Sequence, residues 1–226
     1  MRVLFVLTSW GRFGETGLNT GFACETFTTP YYAVKDRGIE VVLASPAGGA
    51  APVDPRSEEA SALVPSVRRY RADPLARADI SDTLRLEQIC PEDFDAAFYP
   101  GGHGVLWDLA NCTDSADLLL ALLAADKPVA LVSHAPIALR GVVDGAGRPI
   151  VAGRRVTAFS NAEEAATGLA DVVPLAVEGE LRRLGALYDF DPDFGAHVVR
   201  DGPLITGQNP ASAAPLVEAL LAAIGG

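Results

Sequence analysis

The segment Ala130-Leu131-Val132-Ser133-His134-Ala135-Pro136 joins an apolar run directly to a hydroxyl, an imidazole and a helix-opening proline. Such a junction can mount a nucleophile on a strand-to-helix elbow. Residues 129–132 would form the strand, Ser133 would sit at its carboxyl end, and Pro136 would open a helix where its missing N–H is no loss. Free N–H groups at a helix start stabilise negative charge that develops on a substrate. Taken alone, Ser-His is a weak pattern that suits a structural turn as readily as a reacting centre. A second cluster, Gly101-Gly102-His103, follows residues 96–99. Its glycines let backbone N–H groups approach an oxyanion with no side chain in the way, and they equally permit a tight turn. His103 is either a pocket wall or proton donor, or a turn residue; Trp10 can line the pocket; His197 is read as structural.

These groups need elements that end on one rim. Short β-rich runs at residues 3–8, 41–45, 96–99 and 129–132 alternate with helical stretches at 21–37, 115–125, 136–142, 178–184 and 211–224. Strands alternating with helices imply an α/β domain with a mainly parallel sheet covered on both faces. Pro30 should kink or restart the first helix. Residues 148–159, with Gly153 between two apolar runs, and 197–206, turning at Asp201-Gly202, read as added β-hairpins. Ligands of open α/β sheets gather at the carboxyl ends of the strands, where Trp10, Gly101, Gly102, His103, Ser133 and His134 all fall. Residues 53–86, rich in Asp, Arg, Ser and Pro, read as loop with a short helix or two and no chemistry.

The 226 residues suit one domain, 1–226, with no linker or repeat to divide it. Eighteen Lys plus Arg against 29 Asp plus Glu give a net charge of −11, which repels phosphate backbones and anionic lipids, so neither nucleic acid nor a membrane is expected as a partner. The longest apolar run, 118–125, is far short of the roughly 18 residues that span a bilayer. The apolar stretch at 3–7 is too short for a signal peptide and reads as a strand. Three widely separated cysteines, Cys24, Cys90 and Cys112, show neither zinc-site nor disulfide spacing, and a reducing, cytoplasmic setting is expected. Cys24, between Phe22 and Phe27, reads as a core thiol. The histidines are too scattered for a metal constellation and no nucleotide-binding glycine loop is present, so no cofactor and no metal is expected.

Several ordered motifs together resemble the ThiJ/PfpI superfamily, whose members share a flavodoxin-like domain related to type 1 glutamine amidotransferases. They are Thr20-Gly21-Phe22, Ala44-Ser45-Pro46-Ala47-Gly48-Gly49, Tyr99-Pro100-Gly101-Gly102-His103-Gly104, the elbow, residues 156–164, Asp171-Val172-Val173-Pro174 and residues 204–212. Within the superfamily the chain looks most like the branch of glutathione-independent glyoxalase III enzymes and stress chaperones. The resemblance implies a flavodoxin-like three-layer sandwich, a homodimer and a small-molecule substrate of carbonyl type. It also implies a carboxylate partner for His134 at Glu164, which would fix the imidazole tautomer and raise its basicity. Glu163 beside it reads as a solvated neighbour.

Two positions depart from the family. Ser133 stands where the nucleophilic cysteine belongs, and a hydroxyl is a far weaker acid than a thiol, needing a base to take its proton as it attacks. Thr26 stands where a glutamate should hydrogen-bond that cysteine, and Glu25 lies one residue earlier, turned by about 100° on a helix. The resemblance therefore leaves Ser133 as nucleophile, hydrogen-bond donor or relic, with Glu25 and Thr26 as candidate site residues beside it. Three functions follow: a glyoxalase III-like enzyme without thiol chemistry, a specialised hydratase, hydrolase or isomerase, or a chaperone or binding protein that has lost catalysis.

Overall fold

Successive residues of the central strands bury in opposite directions, and this alternation builds two cores. Leu4 and Val6 enter one apolar cluster with Ala97, Tyr99, Val129 and Leu131, whereas Val3 and Phe5 enter the other with Phe98, Ala130 and Val132. Strands buried on both faces read as near-continuous apolar runs, as those of a parallel sheet between helical layers do. The structure is a computed structural model and describes residues 1–225. Its strands are β1 (Arg2–Val6), β2 (Glu40–Ser45), β3 (Leu84–Arg85), β4 (Ala96–Tyr99), β5 (Val129–Val132), β6 (Arg155–Val156), β7 (Leu187–Tyr188), β8 (Val198–Asp201) and β9 (Leu204–Gly207). Seven of them form one sheet in the order β3-β2-β1-β4-β5-β9-β8, parallel throughout except for the β8–β9 hairpin.

The helices are α1 (Cys24–Lys35), α2 (Pro55–Ala60), α3 (Pro65–Ala72), α4 (Pro74–Ser81), α5 (Thr113–Ala124), α6 (Asn161–Thr167), α7 (Val177–Arg183) and α8 (Ala213–Ile224). Phe27 and Tyr31 of α1 and Leu216 and Leu220 of α8 cover one face of the sheet; Leu119 and Leu122 of α5 cover the other. The register of β4 on β5 pairs Phe98 with Ala130 and Tyr99 with Leu131. The turns that leave these two strands are therefore neighbours, and Gly101–His103 and Ser133–His134 lie side by side on one rim. Among the described residues, no helix is long and apolar enough to cross a membrane.

Three expectations need correction and one is refined. Helix α1 runs unbroken through Pro30, because Phe27 and Tyr31 anchor it in the core and one missing ladder bond does not outweigh that packing. Residues 148–159 form no hairpin: the chain turns at Gly153 (φ +77°), and β6 pairs in parallel with the distant β7. The helix expected after the elbow is present as a 3₁₀ helix, Ala135–Gly141. Residues 53–86 hold three helices, α2 to α4, each opened by a proline at its first turn, with Asp54 and Asp73 capping α2 and α4.

Candidate active site

The elbow holds Ser133 at φ +61°, a left-handed conformation that costs a side-chain-bearing residue about 1–2 kcal/mol. Neighbouring chain enforces it: the Ser133 N–H donates to the Gly207 carbonyl at 2.8 Å, and the Ser133 carbonyl accepts from Phe159 N–H at 2.9 Å. Both Ser133 and His134 are 2 % exposed. The serine Oγ lies 3.0 Å from His134 Nδ1, His134 Nε2 lies 2.8 Å from Glu164 Oε2, and the second oxygen of Glu164 lies 3.0 Å from His103 Nε2. A carboxylate only accepts, so both Nε2 atoms carry hydrogens, and His134 Nδ1 is left with a lone pair for the serine O–H. The result is one directed chain, serine to imidazole to carboxylate, with a second imidazole closing the far side.

Burial sets the charges. It pushes the His134 imidazolium down to about 4, reinforced by His103 and opposed by Glu164, so this imidazole is neutral near pH 7 and free to accept a proton. Burial alone would push the Glu164 carboxyl up, but the hydrogen bonds from His103 and His134 outweigh it and hold the group well below the usual carboxylate range.

Glu164 reaches this point because the start of α6 is locked. Ser160 caps the helix by accepting from Glu163 N–H at 3.0 Å, and Glu163 returns a carboxylate oxygen to Ser160 N–H at 2.9 Å. The other Glu163 oxygen accepts from Phe194 N–H at 2.8 Å and from Asn209 Nδ2 at 2.7 Å. Glu163 is thus a fully buried clamp rather than the solvated neighbour its sequence position suggests. The capping pattern Ser160-x-x-Glu163 was present in the sequence, but its buried partners Phe194 and Asn209 come from distant chain.

A cavity of about 490 Å³ opens over the pair, lined by Gly102, His103, Ser133, His134 and Phe159 and also by Asp54, Arg56 and Ser57. Gly102 sits at φ +124°, and a Cβ there would fall 2.4 Å from Ala23 N. At Gly101 a Cβ would fall 2.6 Å from the Ser133 Cβ. Neither turn tolerates a side chain, and the N–H groups of Gly102 and His134 donate to no described residue, which leaves them available to an oxyanion. Asp54, Arg56 and Ser57 bring part of the 53–86 segment to the cavity wall.

A sequence profile of the DJ-1/PfpI family matches residues 18–223. The chain belongs to the DJ-1/PfpI family. It is 30 % identical to the glutathione-independent glyoxalase hsp3101 of Schizosaccharomyces pombe, over 97 % of this chain and 94 % of that one. Among solved structures it is similar to the rapid encystment protein of 24 kDa from Francisella tularensis, with a TM-score of 0.92 and 31 % identity over 99 % and 98 % of the two chains. It is also similar to glyoxalase III from Candida albicans, with a TM-score of 0.87 and 26 % identity over 99 % and 97 %. The DJ-1/PfpI sheet and its two helical layers are those built above.

The start of α1 is where this DJ-1/PfpI chain is least like the expected site. Glu25 makes no hydrogen bond to Ser133 and does not line the cavity; burial pushes its carboxyl up. Thr26, fully buried, donates to Ala23 O at 2.8 Å and lies 3.4 Å from Gly101 O, behind the glycine turn rather than in the cavity. Trp10 also lies outside the cavity, 39 % exposed and stacked on Trp107. Cys24 is a core thiol as expected, pushed up by burial to about 12 and unreactive at neutral pH. His197 sits beside Asp191 and Asp189, away from the cavity. His103 and His134 are not scattered as their sequence separation suggests: adjacent β4 and β5 bring both onto Glu164. The ligand atoms of His103, His134 and Glu164 lie within 4.8 Å of one another, a set that can hold a divalent cation. Both carboxylate oxygens are satisfied by imidazole N–H groups without one.

Proposed function

We propose that the protein is a cofactor-free enzyme that converts an α-oxoaldehyde to an α-hydroxy acid by general acid–base chemistry, with no thiol intermediate. The observation that carries this reading is the buried Ser133–His134–Glu164 chain, at 3.0 and 2.8 Å, at the wall of a cavity of about 490 Å³. The names of the Schizosaccharomyces and Candida relatives support the substrate class.

Water adds to the aldehyde carbon, the N–H groups of Gly102 and His134 meet the charge that develops on the aldehyde oxygen, and a proton of the water passes to that oxygen to give a neutral gem-diol. His134, with Ser133 relaying through its hydroxyl, takes the remaining hydrogen of that carbon as a proton, and the electron pair moves into the bond with the neighbouring carbonyl carbon, whose oxygen takes the charge, to give an enetriolate. Return of the proton to the adjacent carbon produces the hydroxy acid. Atoms balance as oxoaldehyde plus water, with one carbon oxidised and its neighbour reduced. Glu164 stabilises the imidazolium while it holds the proton, and His103 holds Glu164 in place. Purified protein should consume methylglyoxal and form lactate without glutathione, and Ser133→Ala should slow this by about 10²-fold or more. Absence of turnover in the native chain, with turnover gained in Ser133→Cys plus Thr26→Glu, would refute the non-thiol reading.

The strained Ser133, its O–H aimed at His134 and the open N–H groups favour one second reading, a serine hydrolase for a small ester or amide. A burst of released alcohol from an activated ester, abolished in Ser133→Ala, is the signature that separates it from the first.

A further inference from the structure

The cavity that Ser133 lines also carries a guanidinium, that of Arg56, held by several contacts. Asp54, 3 % exposed, is itself anchored by the Thr20 hydroxyl at 2.9 Å and by Arg56 N–H at 2.9 Å. It accepts from Arg56 Nε at 3.2 Å and from Arg56 Nη2 at 2.6 Å. Phe13 lies against the guanidinium face at 4.6 Å, and the same ring meets His103 at 5.2 Å. Arg56, Phe13, His103 and His134 thus form a continuous line of contacts to the elbow, with Phe13 edge-on to His103 and the two imidazoles tilted against each other. Arg56 Nη1 makes no hydrogen bond to any described residue, and Arg56 is the only lysine or arginine lining this cavity among the described residues.

A side chain fixed through Nε and Nη2, with Nη1 unspent, is arranged to receive a second anion: its entropy of ordering has been met by Asp54 and Phe13 before any ligand arrives. The cavity is also much larger than a three-carbon oxoaldehyde requires, since pockets of roughly 300–1,000 Å³ enclose far bigger ligands. We propose that Arg56 is a specificity-determining residue that binds a carboxylate, and that the substrate is an α-oxoaldehyde carrying a carboxylate at the end remote from its reacting carbonyls. This rests on the reading of the cavity as a site for a small carbonyl compound, and it adds the chemical class of the rest of the molecule. Asp54 is then a positioning residue: it aims the guanidinium without touching the ligand.

Binding and turnover test this separately. Unreactive 4-oxopentanoate and its methyl ester, titrated calorimetrically, differ only in the charge. The native protein should bind the acid at least about 10-fold more tightly than the ester, as one charge-assisted hydrogen-bonded contact requires. Arg56→Met should abolish that difference, and Arg56→Lys, which keeps the charge against Asp54 but not the fork, should retain part of it. If Arg56→Met does not fold, as judged by its melting curve, the partial loss in Arg56→Lys carries the test. In turnover, 4,5-dioxopentanoate should exceed both methylglyoxal and its own methyl ester in kcat/KM, chiefly through KM, with the preference lost in Arg56→Met. Equal binding of acid and ester by the native protein overturns the proposal, as does equal weakening of both by the Arg56 variants. Arg56-dependent carboxylate binding without turnover of any oxoaldehyde supports Arg56 as the carboxylate-binding residue and overturns the oxoaldehyde part of the proposal together with the catalytic reading on which it rests.

Discussion

Two helix starts flank the elbow, and each was expected to bring a carboxylate to it. At the start of α6, Glu164 is gripped by two imidazoles and held ionised. At the start of α1, Glu25 has no hydrogen-bond partner in the site, and burial pushes its carboxyl up. What separates them is the local machinery. The Ser160–Glu163 capping box fixes the first turn of α6, and Glu163 ties that turn to Phe194 and Asn209. Helix α1 begins at Ala23 with no side-chain cap, and a one-residue displacement sends its acid off the site while Thr26 turns inward against the glycine backbone. A carboxylate serves a site when its helix is registered to it, not because it is close in sequence to a matching motif.

The largest effect that could break this contrast is kinetic. Glu164→Gln keeps the shape but loses the charge that stabilises the imidazolium, and kcat/KM for an α-oxoaldehyde should fall by about 10²–10⁴-fold. Glu25→Gln, assayed in parallel, should change it by less than about 3-fold. Comparable losses in the two variants would erase the distinction.

Gly102→Ala probes how tightly the glycine turn is seated on the start of α1. With φ at +124° and Ala23 N only 2.4 Å from the added Cβ, the cost should be about 2–3 kcal/mol, lowering Tm by about 4–12 °C. An unchanged melting temperature would mean that the turn can relax away from α1.

Glu163→Gln sharpens the α6 side. It weakens three charge-assisted hydrogen bonds at once and should destabilise by about 1.5–3 kcal/mol, visible in a denaturant titration as a lower midpoint with unchanged slope. Because the Glu163 charge also favours the His134 imidazolium, its loss should move the acid limb of the remaining activity to lower pH.

The parts of this site that sequence reveals are those whose signals are local. The apolar run ending at Ser133, the proline that follows, and the glycines at 101 and 102 each imply their backbone geometry directly. The sheet was legible for the same reason, since period-two burial on both faces leaves unbroken apolar strands. What escaped depends on distant chain. His103 and His134 share Glu164 because β4 and β5 are adjacent, Glu163 is buried by Asn209 and Phe194, and Arg56 is aimed by Thr20 acting through Asp54 and by Phe13 against its guanidinium. The Asp54-Pro55 pair that caps α2 is itself a readable helix start, but nothing near it in sequence tells that the helix faces the elbow. The misread hairpin at 148–159 has the same origin: its short strand pairs with β7, some thirty residues away.

The central claim is that His134 is a neutral base whose Nδ1 lone pair faces Ser133 and whose Nε2–H faces Glu164. Nitrogen-15 NMR of the histidine side chains across a pH titration measures tautomer and charge together. Since burial depresses this imidazole, it should stay uncharged from pH 8 down through pH 6 and take up a proton only as the pH approaches about 4, with the Nε2–H tautomer throughout, and the acid limb of kcat/KM should follow the same fall. A His134 signal that titrates near the ordinary histidine value of about 6.5, or one carrying its proton on Nδ1, would contradict the account.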